Sequence, residues 1–141
     1  MTSTTAPMQI LLVEDSLADI DMTLDALTDA TVANEVTVVR DGAAALAHLR
    51  AHLDDAPDLV ILDLNLPCLS GHEVLEAMQT DEVLRRIPVA VLTTSAAESD
   101  VSRTYDLGAN CFLTKPVDLD QFVHVVRSID DFWLGLVRLP S

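Results

Sequence analysis

Five short apolar runs, separated by longer amphipathic segments, limit the folds that this sequence can adopt. Each run is rich in aliphatic, β-branched or aromatic residues, which is typical of a buried strand. Strict alternation of strands and helices indicates right-handed crossovers and a parallel sheet covered by helices on both faces. The sequence therefore predicts an α/β fold, with strands at residues 8–13, 36–39, 59–62, 89–92 and 111–113.

The segments that follow the strands carry helix-start signals. Four of them open with a capping-box pattern, in which a polar residue is followed three positions later by an acid or amide. Asp41-Gly42 marks the turn into a further helix, after the second strand. We therefore expect five helices, one after each strand. The four capping pairs are Ser16 and Asp19, Ser70 and Glu73, Ser95 and Glu98, and Asp118 and Gln121.

The composition limits both the size and the partners of the protein. With 141 residues, of which 50% are hydrophobic, the chain can fill one core but has no room for a second domain of ordinary size. Its 23 acidic and 8 basic residues give a net charge of −15, which repels nucleic acids and anionic membrane surfaces. Without a signal-peptide pattern or an apolar run of roughly 20 residues, we expect a soluble, cytoplasmic protein.

Polar residues stand directly after several of the predicted strands. Glu14 and Asp15 follow the first strand, Asp63 the third, Thr93 the fourth, and Lys115 lies just beyond the fifth. The carboxyl ends of parallel strands form the ligand crevice of an open sheet, so these residues should converge. Crowded carboxylates raise each other's pKa unless a cation lies among them, and Mg²⁺ prefers oxygen ligands. The pattern predicts a magnesium site.

The same residues suit phosphoryl transfer. A carboxylate such as Asp63 can act as a nucleophile and form an acyl phosphate. Lys115 would neutralise the phosphoryl oxygens, and the Thr93 hydroxyl would donate a hydrogen bond to one of them. Positioning and charge neutralisation of this kind are what phosphoryl transfer requires of a protein.

Four motifs carry these residues: Val13-Glu14-Asp15, Leu62-Asp63-Leu64-Asn65-Leu66-Pro67, Leu92-Thr93-Thr94-Ser95, and Leu107-Gly108-Ala109-Asn110 with Lys115-Pro116. Together they resemble the receiver domain of two-component response regulators. Within that family the sequence is most similar to single-domain regulators that serve bacterial phytochromes, through residues 92–95, 110–122 and 131–134.

The resemblance implies a fold and a domain organisation. The expected fold is flavodoxin-like and doubly wound, with five parallel strands in the order 2-1-3-4-5 and five helices. The receiver domain would span residues 8–131. A C-terminal extension would follow at 132–141, with no output domain. The expected partner is a sensor histidine kinase, of the bacteriophytochrome kind.

The resemblance also implies roles for individual residues. Asp63 would be the phosphoacceptor, and Asp15 and Asp63 would ligate Mg²⁺ together with the backbone carbonyl of Asn65. Glu14 stands where the family more often has Asp, so it would reach the metal through water.

Three further residues would stabilise the phosphoryl group or respond to it. Lys115 would bind the phosphoryl group, and Thr93 would be the switch hydroxyl, preferred to Thr94 because it directly ends the fourth strand. Phe112 is either an aromatic residue of the core or the switch aromatic that turns inward when Thr93 moves.

Two enzyme-like or cofactor-binding alternatives fit less well. A phosphatase of the haloacid dehalogenase type expects Asp-x-Asp after the first strand, whereas this chain has Asp63-Leu64-Asn65 after the third. A flavodoxin-like cofactor binder needs a neutral loop after the first strand, where Glu14 and Asp15 would repel a phosphate. We therefore expect a signalling switch and not an enzyme, whose output is an interaction.

The C-terminal segment after residue 131 is unusually apolar. It contains Phe132 and Trp133, and it either folds back over its own domain or contributes to a two-fold homodimer. The homodimer is the expected state, with both aromatic residues near the interface.

Overall fold

The computed structural model describes residues 7–28, 33–64, 66, 69–93, 111–115 and 120–124. Among the helices in these ranges, none has the length and apolar character of a membrane span. In chain order the elements are β1 (Met8–Val13), α1 (Leu17–Thr28), β2 (Asn34–Val39), α2 (Gly42–Ala51), β3 (Leu59–Asp63), α3 (Gly71–Gln79), a short 3-10 helix (Leu84–Arg86), β4 (Val89–Thr93) and β5 (Cys111–Thr114). Residues 120–124 are also helical.

The sheet has five parallel strands in the order β2-β1-β3-β4-β5, which confirms the predicted flavodoxin-like fold. β1 therefore lies between β2 and β3, and the chain builds the sheet outward from it in both directions. The register pairs Val13 with Leu62 across β1 and β3. The residues that follow these two, Glu14 and Asp63, consequently lie at the same level of the sheet.

The central strands β1, β3 and β4 are largely buried because their side chains alternate between two apolar layers, whereas every residue of the edge strand β2 keeps some exposure. One layer packs against α2 and α3, and the other packs against α1 and the helical residues 120–124. Each fully buried aliphatic side chain contributes about 1.5–3 kcal/mol. The strand ends are thus held on a rigid platform. The first layer includes Leu11, Val13, Val60, Leu62, Leu49 and Leu75, and the second includes Ile10, Leu12, Leu59, Ile61, Leu27 and Phe122.

The start of α3 confirms its predicted capping box. The Glu73 backbone N–H donates to Ser70 Oγ at 3.2 Å, and the Ser70 N–H donates back to Glu73 Oε1 at 3.0 Å. At α2, the Ala44 N–H donates to the side chain of Asp41 at 2.7 Å, as the turn at Asp41-Gly42 indicated.

The start of α1 makes only half of its predicted box. The Asp19 N–H donates to Ser16 Oγ at 3.3 Å, but the Ser16 N–H donates to Glu14 Oε2 at 3.1 Å instead of to Asp19. The second half of that prediction was wrong, because a nearer carboxylate takes the N–H and leaves the Asp19 side chain for another partner. The pairs that involve Ser95 and Asp118 lie outside the described residues, as does the helix expected between β4 and β5.

A glycine brings α3 against the end of β3. A Cβ on Gly71 would lie 2.5 Å from the Asp63 carbonyl oxygen and 2.7 Å from Leu64 Cα. The Gly71 N–H donates to the Leu64 carbonyl at 3.1 Å. Only a residue without a side chain allows α3 to approach β3 this closely. This contact holds the backbone of Asp63 in place.

Candidate functional site

The ends of β1, β3 and β5 bring together three of the predicted site residues. Glu14 directly follows β1, Asp63 is the last residue of β3, and Lys115 directly follows β5. Because all the strands are parallel, these ends lie at one edge of the sheet. We refer to it as the carboxyl edge.

Lys115 lies at the centre of an ion cluster. Its Nζ is 2.7 Å from Glu14 Oε1, 3.0 Å from Asp19 Oδ2 and 3.2 Å from Asp63 Oδ2. The side chains of Glu14 and Asp63 are 1% and 4% exposed, whereas that of Asp19 is 32% exposed. One ammonium thus faces three carboxylates, two of which are almost completely removed from water.

Burial and pairing act on the charges of this cluster in opposite directions. Burial raises the pKa of Glu14; Lys115 opposes that rise, and Asp63 adds to it. Burial alone would lower the pKa of Lys115, but its bonds to Glu14 and Asp19 and the charge of Asp63 outweigh that effect and raise it. Lys115 therefore stays protonated at neutral pH, and the cluster has more negative than positive groups.

The donor set suits a hard divalent cation, although the lysine lies among the acids. Within the described part of the chain, no three acidic, histidine or cysteine side chains are arranged to hold a metal ion on their own. However, three carboxylates surround one ammonium, so the positive charge of Lys115 is shared among Glu14, Asp19 and Asp63. Burial, and after it the neighbouring Asp63, raises the pKa of Glu14, and a further cation would oppose both effects by stabilising the carboxylate.

The other predicted metal ligands are less fully defined. Asp15 is half-buried beside Glu14, and its backbone carbonyl accepts a hydrogen bond from Arg40 at 2.9 Å. Its carboxylate does not pair with Lys115 in this structure. Ligation of Mg²⁺ by Asp15 and Asp63 stays a prediction, and Asn65 lies outside the described residues.

Two predicted switch residues lie on neighbouring strands. Thr93 is the last residue of β4 and pairs with Thr114 of β5, so its backbone reaches the carboxyl edge. Phe112 pairs with Val91 and is half-buried against the layer that packs on α2 and α3. This packing agrees with a core role for Phe112, and its switch role stays a prediction. Thr94, Phe132 and Trp133 lie outside the described residues.

Two residues of the site were not predicted from the sequence. The capping-box pattern predicts only a helix-start role for Asp19, whereas the structure pairs the Asp19 carboxylate with Lys115. No signal near Asp19 in the sequence indicates this contact, because its partner Lys115 lies 96 positions further along the chain. Gly71 was not singled out, although it directly follows the predicted cap Ser70.

Comparison with known proteins identifies the family of the chain. The family described as "Response regulator receiver domain" matches residues 10–127. The response regulator Rcp1 of Synechocystis sp. is 44% identical over 139 residues, which cover 96% of this chain and 95% of that protein.

Two solved structures are similar over most of their length. The phosphorylated cyanobacterial phytochrome response regulator RcpA is 47% identical with a TM-score of 0.74, covering 96% of this chain and 100% of that one. The Mn²⁺-bound form of Rcp1 is 44% identical with a TM-score of 0.72, with the same coverage of 96% and 100%. The fold, the acidic edge with its lysine, and these matches together show that the chain belongs to the response-regulator receiver family and is related to the phytochrome response regulators.

Proposed function

We propose that this chain is a signalling switch in which Asp63 accepts a phosphoryl group from a sensor histidine kinase, in a reaction that requires Mg²⁺. The observation that carries the proposal is the contact between Asp63 and Lys115: a carboxylate on a rigid strand end lies 3.2 Å from a buried ammonium, at an edge that is rich in acids. An ion pair with only a structural role would need one carboxylate, whereas Lys115 contacts three.

The chain's own residues provide a nucleophile and a counter-charge. An Asp63 oxygen forms a bond to phosphorus, the bond from phosphorus to the kinase histidine breaks, and the imidazole nitrogen keeps the electron pair. Lys115 already bonds the nucleophilic carboxylate, so it is placed to neutralise charge on the group transferred there. The side chain of Asp63 is 4% exposed, which limits access of water to the acyl phosphate.

A divalent cation completes this scheme. Asp15, Asp63 and the Asn65 carbonyl would hold Mg²⁺, with Glu14 acting through a water molecule. When bound, the ion would neutralise charge on both the carboxylates and the phosphoryl group. The Mn²⁺-bound structure of the relative Rcp1 supports a divalent ion in this role.

The output would be an interaction and not a catalysed reaction. We propose that Thr93 and Phe112 transmit phosphorylation to the face formed by the fourth helix, β5 and the fifth helix, by shifting a two-state equilibrium. A homodimer through that face, with Phe132 and Trp133 near the interface, is part of the proposal. The net charge of −15 supports a protein partner over nucleic acid or a membrane.

The proposed kinase is a bacteriophytochrome. Its support is the similarity to the bacteriophytochrome response regulator RtBRR, which is 44% identical with a TM-score of 0.79. The match covers 88% of this chain and 78% of that one.

Phosphate labelling of the purified protein tests the proposal. A bacteriophytochrome kinase with ATP, and separately acetyl phosphate, should label the wild type in Mg²⁺. Asp63→Asn should take no label from either donor, because an amide does not displace phosphorus. Asp54→Asn is the matched control, because Asp54 is an exposed aspartate in the loop between α2 and β3. This variant should label fully. Full labelling of Asp63→Asn would refute the proposal, and labelling from acetyl phosphate alone would refute the choice of kinase.

A further inference from the structure

Among the partners of Lys115 that the described residues provide, only Asp19 comes from a helix. Its carboxylate lies on the first turn of α1 and receives a hydrogen bond from Lys115 Nζ at 3.0 Å. The start of the helix does not need this carboxylate, since Ser16 caps through the backbone N–H of Asp19 and Glu14 takes the Ser16 N–H. The contact with Lys115 is therefore available for a role in the site.

The three partners of Lys115 differ in how easily they can release it. Glu14 is buried and held by the Ser16 N–H, and Asp63 is buried at the end of a central strand. Loss of a buried partner would leave an uncompensated charge out of water. Asp19 is 32% exposed, so water can solvate its carboxylate once the ammonium leaves.

We propose that Asp19 is a positioning residue that acts through Lys115: it holds the ammonium before phosphorylation and gives it up to the phosphoryl oxygens. This inference rests on the proposed function. The aspartyl phosphate carries more negative charge than the carboxylate that it replaces, so it competes with Asp19 for the same ammonium. Asp19 consequently restrains phosphorylation and, by adding negative charge to the edge, favours the divalent cation.

Removal of this charge should therefore change two properties in opposite directions. In Asp19→Asn, Lys115 loses the competing charge of Asp19 but keeps its contacts with Glu14 and Asp63, and one charge that repels the phosphoryl group is gone. Labelling by acetyl phosphate at saturating Mg²⁺ should therefore be about three- to tenfold faster. The edge is less negative and Lys115 competes more strongly for Asp63, so Mg²⁺ should bind at least about threefold more weakly.

Two control variants separate this role from general effects. Asp21→Asn removes the same charge from an exposed position two residues further along α1, so it reports the effect of net charge alone. Asp19→Glu keeps the charge and should restore both properties toward those of the wild type. A role of Asp19 in the structure of α1 alone would slow labelling and weaken Mg²⁺ binding together, and would lower the melting temperature.

The measurements are the rate of labelling by acetyl phosphate and, separately, Mg²⁺ affinity by isothermal titration calorimetry. The inference is supported if Asp19→Asn shows both faster labelling and weaker Mg²⁺ binding while Asp21→Asn shows neither change. Equal effects in both variants, no effect, or parallel losses would overturn it. If the wild type takes no label, the proposed function fails, and the calorimetry still decides whether Asp19 acts on the edge: equal Mg²⁺ affinity in wild type and Asp19→Asn refutes that action.

Discussion

Both edges of the sheet carry ionisable side chains, but they differ in what these side chains face. At the carboxyl edge, Glu14 and Asp63 are buried against Lys115. At the opposite, amino edge, His48 and His52 stack with ring centroids 4.2 Å apart and line an open cavity of about 190 Å³. There a His52 ring nitrogen lies 2.8 Å from the His48 carbonyl oxygen, a local contact at the end of α2.

This difference indicates why the carboxyl edge is a candidate functional site, whereas the histidines of the amino edge only mark the end of α2. At the amino edge the two histidines belong to neighbouring turns at the end of α2 and are partly solvated. At the carboxyl edge the charged groups come from three strand ends and one helix, and Asp19 and Lys115 are 96 positions apart in the chain. Burial of charges from distant parts of the chain costs free energy, so such a cluster needs a purpose beyond stability.

The largest effect should follow loss of the central cation of the carboxyl edge. Lys115→Ala leaves Glu14 and Asp63 buried without their ammonium, and should lower the free energy of unfolding by about 2–4 kcal/mol without metal. Added Mg²⁺ should recover more stability in this variant than in the wild type, because the ion replaces the missing positive charge. Urea unfolding in chelator and in Mg²⁺ measures both. Phosphorylation should persist slowly but lose its conformational response.

Arg50→Ala is the matched control for this substitution, because Arg50 is an exposed cation on α2. Its loss should change the free energy of unfolding by less than about 0.5 kcal/mol. Equal losses in the two variants would mean that the carboxyl edge is no more dependent on its cation than the solvated surface.

A smaller effect should distinguish Gly71 from Gly42, two glycines at which an added Cβ would lie too close to neighbouring backbone atoms. Ala at Gly71 would place Cβ against the Asp63 and Leu64 backbone, and Ala at Gly42 would place it against the Leu69 carbonyl oxygen. Each substitution should lower the free energy of unfolding by roughly 1–3 kcal/mol through overpacking. Only Gly71→Ala should also slow labelling of Asp63, measured with acetyl phosphate at a temperature where both variants are folded. Equal labelling rates in the two variants would mean that the contact between α3 and the end of β3 does not affect phosphorylation of Asp63.

Features that depend on local interactions were predictable from the sequence, whereas features that depend on contacts between distant residues were less so. The strands were predictable because their apolar runs are local, and the observed strands extend the predictions by at most two residues, as at β2 (Asn34–Val39). The convergence of Glu14, Asp63 and Lys115 followed from the parallel order of the strands. That order came from the resemblance to receiver domains, and the structure confirms it.

The role of Asp19 was not predictable from its pattern. Ser16 with Asp19 and Ser70 with Glu73 present the same Ser-x-x-acid spacing, yet only the second pair forms the full capping box. The outcome depends on whether a distant cation is close, which the local sequence does not contain. Gly71 was missed for a similar reason, since its requirement comes from the backbone of β3 and not from its own turn.

The pH dependence of stability offers a finer test at the carboxyl edge. Burial raises the pKa of Glu14 above its ordinary value of 4.5, so the folded protein binds more protons than the unfolded chain above that pH. The contribution of Glu14 to the free energy of unfolding is therefore full below pH 4.5 and is lost as the pH rises through the raised pKa. Glu14→Gln should remove this loss, as measured by metal-free urea unfolding at several pH values. Parallel pH curves for the two proteins would contradict the assignment.

The amino edge should show the opposite sign and the smallest effect. Burial, with help from His52, lowers the pKa of His48 below its ordinary value of 6.5. A base of this kind contributes stability above pH 6.5 that is lost as the pH falls through the lowered pKa, because the unfolded chain then binds more protons. His48→Gln should flatten that acid-side loss by only a few tenths of a kcal/mol, since the ring is partly solvated. Labelling of Asp63 should be unchanged, because the two residues lie at opposite edges of the sheet. If His48→Gln instead alters labelling, the two edges are coupled through β1, and the contrast between a chemical edge and a structural one is wrong.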